Sequence, residues 1–137
     1  MTGPEAAQLA GITYRQLDYW ARCGWVTPSA VDDGSSRRRR YRPAEVVRLA
    51  LLGHLGRSGV DVRAASRHLQ GLVLDPGADE VVVWDGSRGE LEVVPGPQLR
   101  GRVSEPGNWV VFDPRPVWAR LGGRADVVAT ATLERSA

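Results

Sequence analysis

Residues Thr2 to Tyr41 constrain the chain most. A short apolar-faced segment, a glycine, a second apolar-faced segment and a run of four arginines follow one another with little spare length. Ala6, Ala7, Leu9 and Ala10 give a first helix one buried side, and Gly11 supplies the positive-φ residue that lets the chain reverse in one turn. Thr13 is placed as a cap, its hydroxyl able to accept from the free amides that open a second helix. In that helix Leu17, Trp20 and Ala21 recur three and four residues apart and form the inward face. Arg15, Gln16, Asp18, Tyr19 and Arg22 fall on the opposite face. Two helices joined this tightly predict a helix-turn-helix, and such side chains on its second helix can reach base edges and phosphates from a major groove.

After Pro28, the turn-prone run Asp32, Asp33, Gly34, Ser35 and Ser36 leads into Arg37, Arg38, Arg39 and Arg40. This predicts a wing: a hairpin with cations on its returning strand. Adjacent residues of a strand point to opposite sides, so about half of the four arginines face any one partner. The competing reading is a solvated charge cluster on a loop.

Three segments in order, GPEAAQLAGIT, TYRQLDYWARCGWVTPS and RRRRYRPAEVVRL, make residues 3–70 resemble the DNA-binding domain of the MerR family of bacterial transcription regulators. Arg15 and Tyr19 match that family's recognition helix, and Arg39 and Tyr41 match its Arg-x-Tyr wing motif. Asp18, Tyr19 and Trp20 stand where the family usually has an arginine and two tyrosines, so Asp18 departs from the pattern. The resemblance, with the residues around these positions, implies DNA contacts from Thr13, Tyr14, Arg15, Gln16, Tyr19, Arg22, Arg37, Arg38, Arg39, Arg40 and Tyr41. It further implies double-stranded DNA as partner, a homodimer acting indirectly on RNA polymerase, and distortion of an over-long promoter spacer. No cofactor is implied.

The charge distribution agrees with that expectation. Residues 1–70 hold 11 Arg against 6 Asp and Glu, a balance of +5, whereas residues 71–137 hold 7 against 10, a balance of −3. All 18 basic residues are Arg, which points to a GC-rich coding bias and weakens any argument from the choice of Arg over Lys. The single cysteine, Cys23, excludes an internal disulfide and, with two separated histidines, makes no metal set. Cys23 is expected as a small buried hydrophobe near the helix end. No apolar run spans a bilayer and no secretory leader is recognisable, so the expected location is the cytoplasm, associated with the nucleoid.

Pro43 fits the first turn of a third helix, and Val46 to Leu55 make it strongly apolar, with His54 as a surface or core-edge residue. Asp61 caps a fourth helix ending near Gln70, on which Arg63 and Arg67 read as solvated surface or flanking phosphate contacts. The pattern changes between 71 and 79, and no heptad repeat follows Gln70, so the coiled coil common in such regulators is not expected. Val81–Trp84, Leu91–Val94 and Trp109–Phe112 read as three strands, and Pro114 opens a helix with Val117, Trp118 and Leu121 inward. The segment between the second and third strands reads as a Pro/Gly loop. Asp79, Glu80, Asp85, Glu90 and Glu92 read as a solvated acidic face.

The expected fold class is therefore α+β. A winged helix-turn-helix of about four helices spans 1–72, a small α+β domain with a three-stranded sheet and a helix spans 78–123, and a tail spans 124–137. The second domain resembles that of a MerR-like subgroup from GC-rich bacteria, and it is where a dimer contact is expected. Trp84, Trp109, Phe112 and Trp118 serve there as core, interface or pocket lining. No phosphate-cradling loop or Ser/His/acid grouping suggests an enzyme. Two other readings stay open: an excisionase-like architectural factor that bends DNA, and a protein-interaction module that has lost DNA binding.

Overall fold

The computed structural model describes residues 1–31 and 39–122. The first helix, α1 (Gly3–Ala10), opens with Thr2 Oγ1 accepting from the Glu5 amide and ends at Gly11, whose φ of 73° is the reversal expected there. The second, α2 (Tyr14–Arg22), begins in a reciprocal cap: Thr13 Oγ1 accepts from the Gln16 amide at 3.1 Å, and Gln16 Oε1 accepts from the Thr13 amide at 3.0 Å. Leu17 and Trp20 carry the buried side of α2, as the spacing predicts.

Two short antiparallel strands follow, β1 (Ala30–Val31) and β2 (Arg39–Arg40), in the register Ala30 to Arg40 and Val31 to Arg39. Helix α3 (Pro43–Arg57) then runs through the middle of the molecule. Val46, Val47, Leu49, Leu51, Leu52 and Leu55 are all essentially inaccessible, so α3 is apolar around its circumference, as a helix enclosed on all sides must be. Gly53 lies where α3 meets the helix-turn-helix, and a Cβ there would sit 2.7 Å from a methyl of Ile12. Arg57 Nη1 donates to the Gly11 carbonyl at 3.4 Å, tying the end of α3 to that turn.

Helix α4 (Val62–Ser66) is capped by Asp61, which accepts from the Arg63 amide, but it stops four residues short of the expected Gln70. Ser66 Oγ donates back to the Arg63 carbonyl at 2.7 Å and the His68 amide bonds Ala65 three residues back, which tightens the chain into a 3₁₀ turn at Leu69–Gly71.

The three expected strands form one antiparallel sheet: β3 (Glu80–Asp85) lies between β4 (Glu90–Pro95) and β5 (Trp109–Phe112). Val82 faces Val93 on one side and Phe112 on the other. Alternation then splits the side chains between two faces. Val82, Trp84 and Phe112 join the core built on α3, whereas Val81, Val83 and Val94 gather Leu99, Val103 and Val111 on the far side. The segment expected as a Pro/Gly loop contains helix α5 (Leu99–Arg102), because that second apolar face needs a cover and Leu99 and Val103, four residues apart, supply it.

Helix α6 (Arg115–Leu121) buries Val117, Trp118 and Leu121, the three positions expected, and packs on α3 and α1. The architecture is α+β, with the helix-turn-helix first and the small sheet after it. Helix gives way to strand between Gly71 and Glu80, and one apolar cluster runs from Ala6, Leu17 and Trp20 through α3 to Phe112, Trp118 and Leu121. His54 reinforces the join, its Nε2 lying 2.8 Å from the Val111 carbonyl. The tail from Arg124 lies outside the described residues.

Leu121→Ala, at the far end of this shared cluster, is therefore expected to cost about 2–5 kcal/mol. Urea unfolding followed by far-ultraviolet dichroism and by tryptophan fluorescence will show one coincident transition; an amino-terminal half that keeps wild-type stability would place α6 outside the core.

Candidate nucleic-acid interface

One face of α2 is presented outward because the other is anchored by Leu17 and Trp20. Thr13, Tyr14, Arg15, Gln16, Tyr19 and Arg22 are all exposed; the helical spacing puts Arg15, Tyr19 and Arg22 on one side, with Tyr14 and Gln16 at its two edges. They are not equivalent. Thr13 and Gln16 are engaged in the cap of α2, so the Gln16 carbonyl oxygen is already used by the backbone. Tyr14 leans over α1, and a Cβ at Gly3 would lie 3.0 Å from its ring. Tyr19 stands edge-on to Trp25 at 5.7 Å between ring centres and remains half exposed.

The arginine run divides as strand alternation predicts, at the two positions described. Arg40 is exposed and Arg39 is turned inward. Arg39 Nη1 donates to Asp18 Oδ1 at 2.7 Å, and Asp18 Oδ2 pairs with Arg22 Nη2 at 2.8 Å. Asp18, the departure from the family pattern, thus bridges α2 to β2. The Arg39 hydrogen bond is the main cause holding the Asp18 carboxyl below its usual 3.8, with partial burial opposing and Arg22 assisting. Tyr41, predicted as a DNA contact, is 2% exposed in the core, and burial pushes its phenol up to about 12. Its position directly after β2, with its amide bonded to the Met1 carbonyl, draws the ring inward. In this structure Arg39 and Tyr41 support the surface and do not form it. Arg37 and Arg38 lie outside the described residues.

Two further expectations are corrected. Cys23 is exposed rather than buried, because α2 ends at Arg22 and Gly24, at φ 75°, swings the chain so that Val26 fills the core instead. The acidic residues of the β3–β4 hairpin are not simply solvated. Asp85 is buried, accepts from the Ser87 and Arg88 amides at 2.9 and 3.2 Å, and lies 3.9 Å from Arg102, which also pairs with Glu92 at 2.6 Å. A turn that leaves two amides unpaired needs a buried acceptor.

Sequence reasoning did not link Arg63 and Arg67 to Trp25. These three, with Gly24, Ser66 and Gln70, line an open groove of about 310 Å³ beside the end of α2. Both arginines are exposed, and their four-residue spacing was the available signal.

A helix-turn-helix with an exposed cationic and aromatic second helix, flanked by an exposed strand arginine, defines the class of helix-turn-helix DNA-binding regulators. The chain matches the family described as MerR HTH family regulatory protein over residues 1–72, and it belongs to that family. It is 43% identical over 72 residues to uncharacterised HTH-type transcriptional regulators of Mycobacterium bovis and of two Mycobacterium tuberculosis strains, CDC 1551 and H37Rv. The match covers 50% of this chain and 32% of each relative, so this chain aligns with about a third of their length.

Asp18→Asn releases Arg39 and Arg22 from their shared carboxylate. Binding to DNA is expected to become more salt-sensitive, the slope of log K against log salt steepening by about one per arginine that gains a phosphate. Because the folded carboxyl titrates below 3.8, its contribution to stability is complete above that pH and is lost as pH falls through the lowered value. The stability difference between wild type and variant will therefore be constant near neutrality and close only on acidification below 3.8; a difference that changed near pH 7 would implicate another group.

Proposed function

We propose that the chain binds double-stranded promoter DNA as a homodimer, with α2 in the major groove and the β1–β2 pair acting as a wing on the adjacent backbone. The observation that carries the reading is the exposed face of α2, where Arg15, Tyr19 and Arg22 project opposite a buried Leu17–Trp20 anchor. Arg15 and Tyr19 are the base-edge and phosphate contacts, and Arg40 is the backbone contact from the wing. Arg37 and Arg38 join Arg40 on the strength of the charge run alone. Thr13 and Gln16 present the first turn of α2 to a phosphate, with Gln16 free to donate through its amide nitrogen. Arg39, held by Asp18, sets the angle between wing and recognition helix. Arg63 and Arg67 extend the cationic track past the end of α2.

Family membership supports a regulator that distorts an over-long promoter spacer. In energetic terms, the phosphate interactions that a bent duplex permits offset a bending cost on the order of a few kcal/mol. The reading assigns the dimer contact to the sheet half of the chain.

Selection of bound fragments from bacterial genomic DNA, followed by bend-angle measurement on the enriched site, tests the reading. An inverted repeat between promoter elements, bent on binding, is the expected outcome; direct repeats at an integration site would replace it with the excisionase-like reading. Arg15→Ala and Arg40→Ala are each expected to lower the salt slope by about one, Arg40→Ala uniformly across sequences and Arg15→Ala with an added loss of about 1–3 kcal/mol at one base position. Unchanged affinity in both variants would mean that another face binds.

A further inference from the structure

A cavity of about 240 Å³ opens where the first half of α3, the 72–74 segment and α6 meet. Its apolar wall is Val47, Leu72 and Leu74, and Trp118 of α6 lies alongside. The polar groups around it are unequal in sign. Arg42 and Arg48 both line the cavity, and among the described residues no carboxylate pairs with either guanidinium. Arg48 spends one donor on the Leu72 carbonyl at 3.1 Å and keeps the others. Trp118 is 7% exposed and closes the cavity as packing, its Nε1–H buried away from the open space. The one carboxylate on the wall, Glu45, is already engaged by the Arg42 amide and the Ser29 hydroxyl, which fasten the start of α3.

Two guanidiniums without carboxylate partners, on a wall that is otherwise largely apolar, attract an anion. The volume lies below the roughly 300–1,000 Å³ of pockets that hold drug-sized ligands, and the apolar wall excludes a fully hydrated inorganic ion as the best fit.

We propose that this cavity binds a small organic carboxylate, its charged end shared by Arg42 and Arg48 and its short apolar body resting on Val47, Leu72 and Leu74 against the Trp118 ring. A guanidinium fits the planar fork of a carboxylate, and the indole ring offers the apolar body a flat wall. The site bridges α3 to α6, so its occupant joins the helix that carries the helix-turn-helix to the helix that closes the sheet half. The proposal does not rest on the assignment of DNA contacts.

The test is a titration of the full chain with benzoate, read at the Trp118 indole ¹H–¹⁵N signal assigned by triple-resonance spectra. Benzamide, of the same shape without charge, and inorganic phosphate, with charge and no apolar body, are run beside it. A saturable shift is expected with benzoate, with both comparators weaker by about tenfold or more, the worth of one charge-assisted hydrogen bond. Arg42→Gln and Arg48→Gln are each expected to weaken benzoate by about the same factor. Arg42 is exposed, so its variant keeps the wild-type Tm and carries the result even if Arg48→Gln loses stability with the Leu72 contact. Absence of a saturable shift, equal response to benzamide or phosphate, or indifference to Arg42→Gln would each overturn the proposal.

Discussion

Enclosure of α3 is the constraint on which the rest of the molecule depends. Nine of its fifteen residues are buried, so it has no side to give to water and must be wrapped by other elements. The helix-turn-helix wraps one side, with Gly53 allowing Ile12 to approach, and β5 and α6 wrap another. Neither half covers α3 alone. The small sheet is thereby held to the amino-terminal half by packing, and the His54 contact with the Val111 carbonyl fixes where β5 lies. Burial of this kind scales with apolar area removed from water, at roughly 25 cal/mol per Å², and is the largest favourable contribution available to a chain of this size.

Much of this was legible in the sequence because it rests on local rules. Gly11, Thr13, Pro43 and Asp61 mark turn, caps and helix start through backbone geometry and hydrogen bonding that need no distant partner. The three strands and α6 were legible from runs of Val and Trp bounded by turn residues. What was not legible depends on contacts between distant segments. Leu99 and Val103 make a helix only because the far face of the sheet needs a cover. Cys23 is exposed because Val26, three residues on, takes the interior place. The shared core across residue 72 could not be read from a change in composition, which marks where secondary structure changes and says nothing about which apolar surfaces meet.

The same distinction applies to the interface. Side-chain periodicity placed Arg15, Tyr19 and Arg22 outward, since Leu17 and Trp20 demand the inside. It could not say that Asp18 closes on Arg39 across 21 residues of chain, nor that Tyr41 is drawn into the core. Strand alternation said that only half of the arginines face any one partner, and the wing motif chose Arg39; the structure turns Arg39 inward and leaves Arg40 exposed. Family membership narrows the chemistry of the surface, and the neighbours of each side chain decide what that side chain does there.

The bridge from Asp18 to two arginines also bears on how a regulator finds its target. A genome offers a vast excess of ordinary sequence, and every unpaired cation lengthens the stay on it. In the proposed DNA-bound arrangement, neutralising part of the α2 surface would shorten those unproductive stays more than it weakened a complex in which base contacts also contribute. On that reading an acid among the arginines would work as a filter on competition: more copies in transit at any moment, and fewer held where there is nothing to regulate.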